Sequence, residues 1–174
     1  IIMIFISLGF LIIAIIKKPR RMKIIIIRGK INSGKTTTSG LVYSELVKTA
    51  EKEHTFNGKP VTENSLKYNE KNAVIDFTSI LVVGKLKVGV ISAGDIAKDL
   101  KYNIKIMISL NIDILVCCAR SKNQKGSAYK MILDDFSKEH TIIKELWTEY
   151  SNDSEQKNNI KMETVKEIMN LING

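Results

Sequence analysis

Two glycines, a lysine and a threonine stand at a spacing suited to holding a chain of phosphates. The segment Gly29-Lys30-Ile31-Asn32-Ser33-Gly34-Lys35-Thr36 fits G-x-x-x-x-G-K-[ST], and Thr37 follows it. A polyphosphate needs positioned donors to neutralise its charge. Gly29 and Gly34 let the backbone curl so closely that its N–H groups can face the phosphates. Lys35 adds a full positive charge toward the outer phosphates. A helix opening there adds the partial positive charge of its N-terminus. The Thr36 hydroxyl is a hard oxygen ligand of the kind Mg2+ prefers. The plain alternative is a glycine turn that caps an ordinary helix.

The flanking elements favour the phosphate reading. Ile24 to Ile27 form a short β-branched apolar run, which predicts a strand buried on both faces of a parallel sheet. After the loop, Leu41, Val42, Leu46 and Val47 recur at helical spacing, predicting a helix from about Lys35 to Glu51. Residues 53–72 are polar and read as a loop or insertion, with a short helix near Glu63–Tyr68 as the alternative. Val74 to Val83 and Leu86 to Ser92 read as a hairpin turning at Gly84-Lys85. Ile96, Leu100, Ile104, Met107 and Ile108 mark an amphipathic helix, and Ile114 to Ala119 another buried strand. Tyr129, Ile132, Leu133 and Phe136 mark a further helix, and Thr141 to Trp147 a strand. Tyr150 to Asn159 read as a polar linker before a last helix carrying Val165, Ile168, Met169 and Ile172. This order predicts a three-layer α/β/α domain over residues 22–174. Its sheet is expected to be mainly parallel, with about five strands and one antiparallel hairpin.

Strand, glycine loop and helix together resemble the P-loop NTPases, whose Walker A motif occupies residues 29–36 here. The resemblance implies ATP with Mg2+, bound by Gly29, Lys30, Ile31, Asn32, Ser33, Gly34, Lys35, Thr36 and Thr37. It also implies hydrolysis or transfer of the terminal phosphate, as in small-molecule and nucleotide kinases. A GTPase-like switch, or a module that uses the nucleotide to control a partner, is the alternative. No Asn-Lys-x-Asp follows the strand 114–119, and no Asp-x-x-Gly follows the strand 86–92, which favours ATP over GTP. No Arg-rich lid is evident either, which weakens the kinase version.

Such an enzyme needs an acid near the metal. Asp95, beyond the strand that ends at Ser92, is the candidate paired with Thr36, and capping the next helix is its competing role. Asp76 has the apolar-then-acid pattern but sits inside the expected strand, so it reads as a turn or solvated residue. Asp113 precedes its strand, at the wrong edge. Arg120 follows the strand 114–119 and is the candidate for stabilising transferred charge, with a solvated basic loop as the alternative. His54 and His140 have no partner ligand nearby and read as surface residues. Cys117 and Cys118 read as small core residues, and Trp147 as core or rim.

With 174 residues, 44% of them hydrophobic and 26% charged, the chain is neither collagenous, mucin-like nor wholly disordered. The charge is unevenly placed. Ile1 to Ile16 contain only Ser7 and Gly9 as non-hydrophobic positions, Lys17, Lys18, Arg20 and Arg21 follow, and no acid occurs before Glu45. A 16-residue helix would reach about 24 Å against a hydrocarbon core of about 30 Å. The segment also lacks a secretory signal's basic start and cleavage pattern. Residues 1–21 are therefore expected to be either sequence ahead of the true start at Met22 or a membrane anchor. Both place the following domain in the cytoplasm. Without those four cations the net charge of +9 becomes +5, a weak nucleic-acid signal. The phosphate acceptor or protein partner is not specified.

Overall fold

A computed structural model describes residues 4–7, 10–13, 20–57, 59–61, 64–120, 122–148 and 153–174. Two short strands, β1 (Ile4–Ser7) and β2 (Phe10–Ile13), pair antiparallel in a sheet of their own. No helix among the described residues is long and apolar enough to cross a membrane.

The remaining chain is α/β. The isoleucine run lies in β3 (Lys23–Gly29), and the glycine loop leads into α1 (Lys35–Val47). Then come β4 (Lys52–His54), β5 (Thr78–Val83), β6 (Leu86–Ile91) and α2 (Ala97–Ser109). The chain continues through β7 (Ile114–Arg120), α3 (Ala128–Phe136), β8 (Thr141–Thr148) and α4 (Ser154–Asn173). One six-stranded mixed sheet runs in the order β4-β5-β6-β7-β3-β8. Its strands β6, β7, β3 and β8 are parallel, and β4 and β5 extend it antiparallel.

Alternation along β3 divides the core. Ile24 and Ile26 pack with Leu100, Ile104 and Met107 of α2 and with Ile132 and Phe136 of α3. Ile25 and Ile27 face the other way, onto Val42 and Leu46 of α1 and Val165 and Ile168 of α4. Helices thus cover both faces, and all four isoleucines are fully buried. Burying each contributes about 1.5–3 kcal/mol relative to an exposed side chain. A central parallel strand covered on both faces has to be apolar at every position, which is why the run shows no period of two.

Several boundaries differ from expectation. Helix α1 stops at Val47, where Lys48 and Thr49 form a turn before the short edge strand β4. No helix occurs in 64–68; Glu63 lies outside the described residues. The expected strand from Val74 begins only at Thr78, because residues 74–77 run across α1 and pack Val74 and Leu66 against Gly40. Ile96 is not part of the apolar face of α2: it is the N-cap and is 63% exposed. The linker expected over 150–159 turns helical at Ser154, with the Asp153 carboxylate capping α4 through the N–H groups of Glu155 and Gln156. The sheet has six strands rather than about five, with two antiparallel additions.

Candidate functional site

Register brings Gly29 of β3 level with Arg120 of β7 and Thr148 of β8, so three strands end at one edge of the sheet. The glycine loop turns there. Asn32 (φ 57°) and Gly34 (φ 90°) adopt left-handed backbone conformations, which Asn and Gly tolerate best. Gly29 has no room for a side chain, since a Cβ would land on the Ser33 and Thr148 hydroxyls. Ser33 Oγ and Thr148 Oγ1 lie 2.7 Å apart, and the Thr148 hydroxyl is also 3.1 Å from the Arg28 carbonyl. Thr148 therefore fastens the loop to β8.

Lys35 is only 8% exposed. Its ammonium donates to the Lys30 carbonyl at 2.8 Å and to the Gly29 carbonyl at 3.3 Å. It is thus held inside the loop it serves. Around it opens a cavity of about 320 Å3, lined by residues 31–37 with Asp76, Ser92, Gly94, Asp95 and Lys161. Gly29 and Lys30 lie behind that lining. Lys161 of α4 reaches Gly34, with its Cε 3.1 Å from where a Cβ on Gly34 would sit.

Asp76 is the acid nearest the Thr36 hydroxyl, which donates to its Oδ1 at 3.0 Å. Ser92 Oγ lies 3.3 Å from the same oxygen and accepts the Phe77 N–H at 2.7 Å. Asp76 is exposed, as a solvated residue is, and lies outside any strand, but it stands at the mouth of the loop. It precedes β5, which runs antiparallel to β6, so the start of β5 lies at the edge where the parallel strands end. Thr36 and Asp76 together offer two oxygens. Mg2+ is commonly held by one or two such groups, with phosphates and water completing its shell. Among the described residues no cluster of three or more His, Cys, Asp or Glu is arranged to hold a metal alone.

Asp95 also lines the cavity but is engaged elsewhere. Arg120 grips it in a two-point ion pair, Nε to Oδ1 at 2.9 Å and Nη2 to Oδ2 at 3.0 Å. That hydrogen bond holds the Asp95 carboxyl below the usual carboxylate range. Partial burial opposes the shift, and the charges of Lys35 and Arg120 reinforce it. Asp95 is not the cap of α2: Ile96 holds that position with no side-chain cap bond. Arg120 reaches Asp95 from a neighbouring cleft rather than from the cavity wall.

The other candidates lie away from the loop. Asp113 sits at the opposite edge, accepting the Lys87 N–H and pairing with Arg20. His54 is half-buried on β4. His140 is not a surface residue: it is 3% exposed, and its Nδ1 accepts the Met22 N–H at 3.3 Å. Cys117 and Cys118 are free, buried thiols whose pKa burial pushes up. Trp147 is a rim residue, stacked with Tyr129 about the Arg28 guanidinium, which also pairs with Glu145 at 2.7 Å.

Thr148 and Lys161 are absent from the sequence reading. Thr148 carries no motif of its own, although its place at the end of a β-rich run next to the loop strand is a signal once strand order is known. Lys161 is one of many lysines. No family model, curated protein or solved structure matches the chain.

Proposed function

We propose that the protein binds a nucleoside triphosphate, ATP in preference to GTP, and hydrolyses it or transfers its terminal phosphate with Mg2+. The observation that carries this reading is the 3.0 Å contact between the Thr36 hydroxyl and Asp76, at the mouth of a glycine loop that holds Lys35 at its centre. The glycine loop, the Lys35 ammonium and the Thr36 and Asp76 oxygens, drawn from β3, α1 and the entry to β5, support this reading.

Each part has a chemical task. The backbone of residues 30–34 and the N-terminus of α1 supply donors to the phosphates. Lys35 moves from its loop carbonyls to the outer phosphates, an exchange of neutral acceptors for charged ones. Thr36 and Asp76 would hold Mg2+, which would neutralise phosphate charge. A water or acceptor hydroxyl forms a bond to the terminal phosphorus as the bond to the bridging oxygen breaks. That oxygen leaves with the electron pair on the nucleoside diphosphate, and the nucleophile's proton passes to solvent. The absence of a guanine-reading Asn-Lys-x-Asp after β7 supports ATP over GTP.

Calorimetric titration of the full chain with ATP and with GTP, each with Mg2+, tests the binding. Phosphate release then tests turnover. Lys35→Ala is expected to weaken ATP binding by at least about tenfold, the cost of losing a charge-assisted contact. Equal affinity in that variant overturns the reading.

A further inference from the structure

A second cleft adjoins the first. It holds about 230 Å3 between the end of β7 and the start of α3, and its walls include Arg120, Lys122, Gln124, Lys125 and Gly126. Among the described residues Asp95 is the only acid in its lining, and the same residue lines the loop cavity. The two spaces therefore share Asp95, which Arg120 holds from the side of the second cleft.

The cleft is suited to an anion. Three cations face one carboxylate there. Among the described residues neither Lys122 nor Lys125 has an ion-pair partner. Arg120 donates one N–H, from Nη2, to Asp95, and its buried Nε lies 2.9 Å from the same carboxylate without a hydrogen bond; the two Nη1 donors and the second Nη2 donor are left for a ligand. The loop that carries the lysines is closed on itself: the Ser127 hydroxyl donates to the Lys122 carbonyl at 2.6 Å, and the Ser127 N–H to the Gln124 carbonyl at 3.0 Å. The cations are thus presented on a tied loop, which lowers the ordering cost of binding. The volume falls below the roughly 300–1,000 Å3 typical of drug-sized ligands, so the occupant is small.

We infer that this cleft binds a small phosphate ester distinct from the nucleotide, held by Arg120, Lys122 and Lys125, as the anionic handle of the molecule that accepts the transferred phosphate. The inference rests on the proposed nucleotide site. It selects transfer to a phosphorylated small molecule over simple hydrolysis. Asp95 separates the two groups of negative charge and keeps Arg120 aimed between them.

The test uses the full chain saturated with Mg2+ and a non-hydrolysable ATP analogue, titrated calorimetrically with inorganic phosphate, glycerol 3-phosphate and ribose 5-phosphate. Glycerol and ribose serve as uncharged controls. The esters are expected to bind and the free alcohols not to. Esters binding more tightly than inorganic phosphate identifies the ester as the ligand, while phosphate alone binding overturns the acceptor assignment. The double variant Lys122→Ala/Lys125→Ala is expected to weaken ester binding by at least about tenfold. It should leave the affinity for the ATP analogue within about twofold and the unfolding midpoint unchanged. Ester binding of undiminished strength in that variant overturns the inference. So does nucleotide binding with no ester binding, which leaves the loop reading standing. If esters bind through Lys122 and Lys125 while the nucleotide does not bind, the loop reading fails and the anion site stands.

Discussion

Two aspartates line the same cavity, and their partners separate their roles. Asp76 faces the Thr36 hydroxyl, whereas Asp95 is held by Arg120. A metal bound at Thr36 meets Asp76 first. Asp76→Asn is expected to lower Mg2+-dependent phosphate release by at least about tenfold and to raise the Mg2+ concentration needed for half-maximal release. Asp95→Asn is expected to leave that Mg2+ requirement nearly unchanged, because it frees Arg120 without touching Thr36. Release measured across a Mg2+ titration decides between them, and the reverse ranking returns the metal-side role to Asp95. The sequence favoured Asp95 because an acid is normally sought after a strand. Asp76 comes before one. Only the antiparallel sense of β5 turns a position before a strand into one at the edge where the parallel strands end.

At the scale of elements, the loop is shaped by what lies beneath it as well as by its own glycines. β8 ends at Thr148, whose hydroxyl meets Ser33 and the Arg28 carbonyl. Thr148→Val keeps the shape and removes the hydroxyl, leaving Ser33 Oγ without this buried partner. A loss of about 1–3 kcal/mol in urea unfolding is expected, together with weaker ATP binding from a looser loop. Unchanged stability and affinity would mean the hydroxyl pair does not position the loop. The motif itself was plain in the residues because loop and helix are local: Gly34, Lys35 and Thr36 are neighbours in the chain. The Thr148 contact spans 115 residues and leaves no local pattern. The capped start of α4 was missed for a different reason. Polar residues over 150–159 suit both a linker and an exposed first turn, and the Asp153 cap decides for the helix at Ser154.

Across the whole molecule, the edge opposite the site is joined through a buried histidine, His140. His140 precedes β8, and its neutral ring accepts the Met22 N–H at Nδ1, which places its proton on Nε2. Burial, more than its charged neighbours, holds its pKa below the ordinary 6.5: Glu139 opposes the shift and Arg21 adds to it. The unfolded chain thus takes up this proton more readily than the folded one. The stabilisation from a neutral His140 is complete above about pH 6.5 and is lost as pH falls through the lower folded-state value. Urea unfolding at pH 7.5, 6.0 and 5.0 is expected to show falling stability. His140→Gln, which keeps an acceptor for Met22, should flatten that fall over the same interval. An equally steep fall in the variant assigns the effect to other groups.

Whatever repeats or sits close along the chain could be read without a structure. The four isoleucines before Gly29 indicate a doubly covered strand, and residues 29–36 indicate a tight glycine loop opening a helix, because burial on both faces and a tight turn each impose their own local residue types. The alternation of elements likewise indicates an α/β domain. Strand order, the sense of β5 and contacts across the sheet were decided by folding alone. They set Asp76 against Thr36, Arg120 against Asp95 and Thr148 beneath Ser33. The reason is range: each of these pairs joins residues 25 to 115 positions apart, and nothing in the local sequence encodes which distant strand end comes to lie beside which.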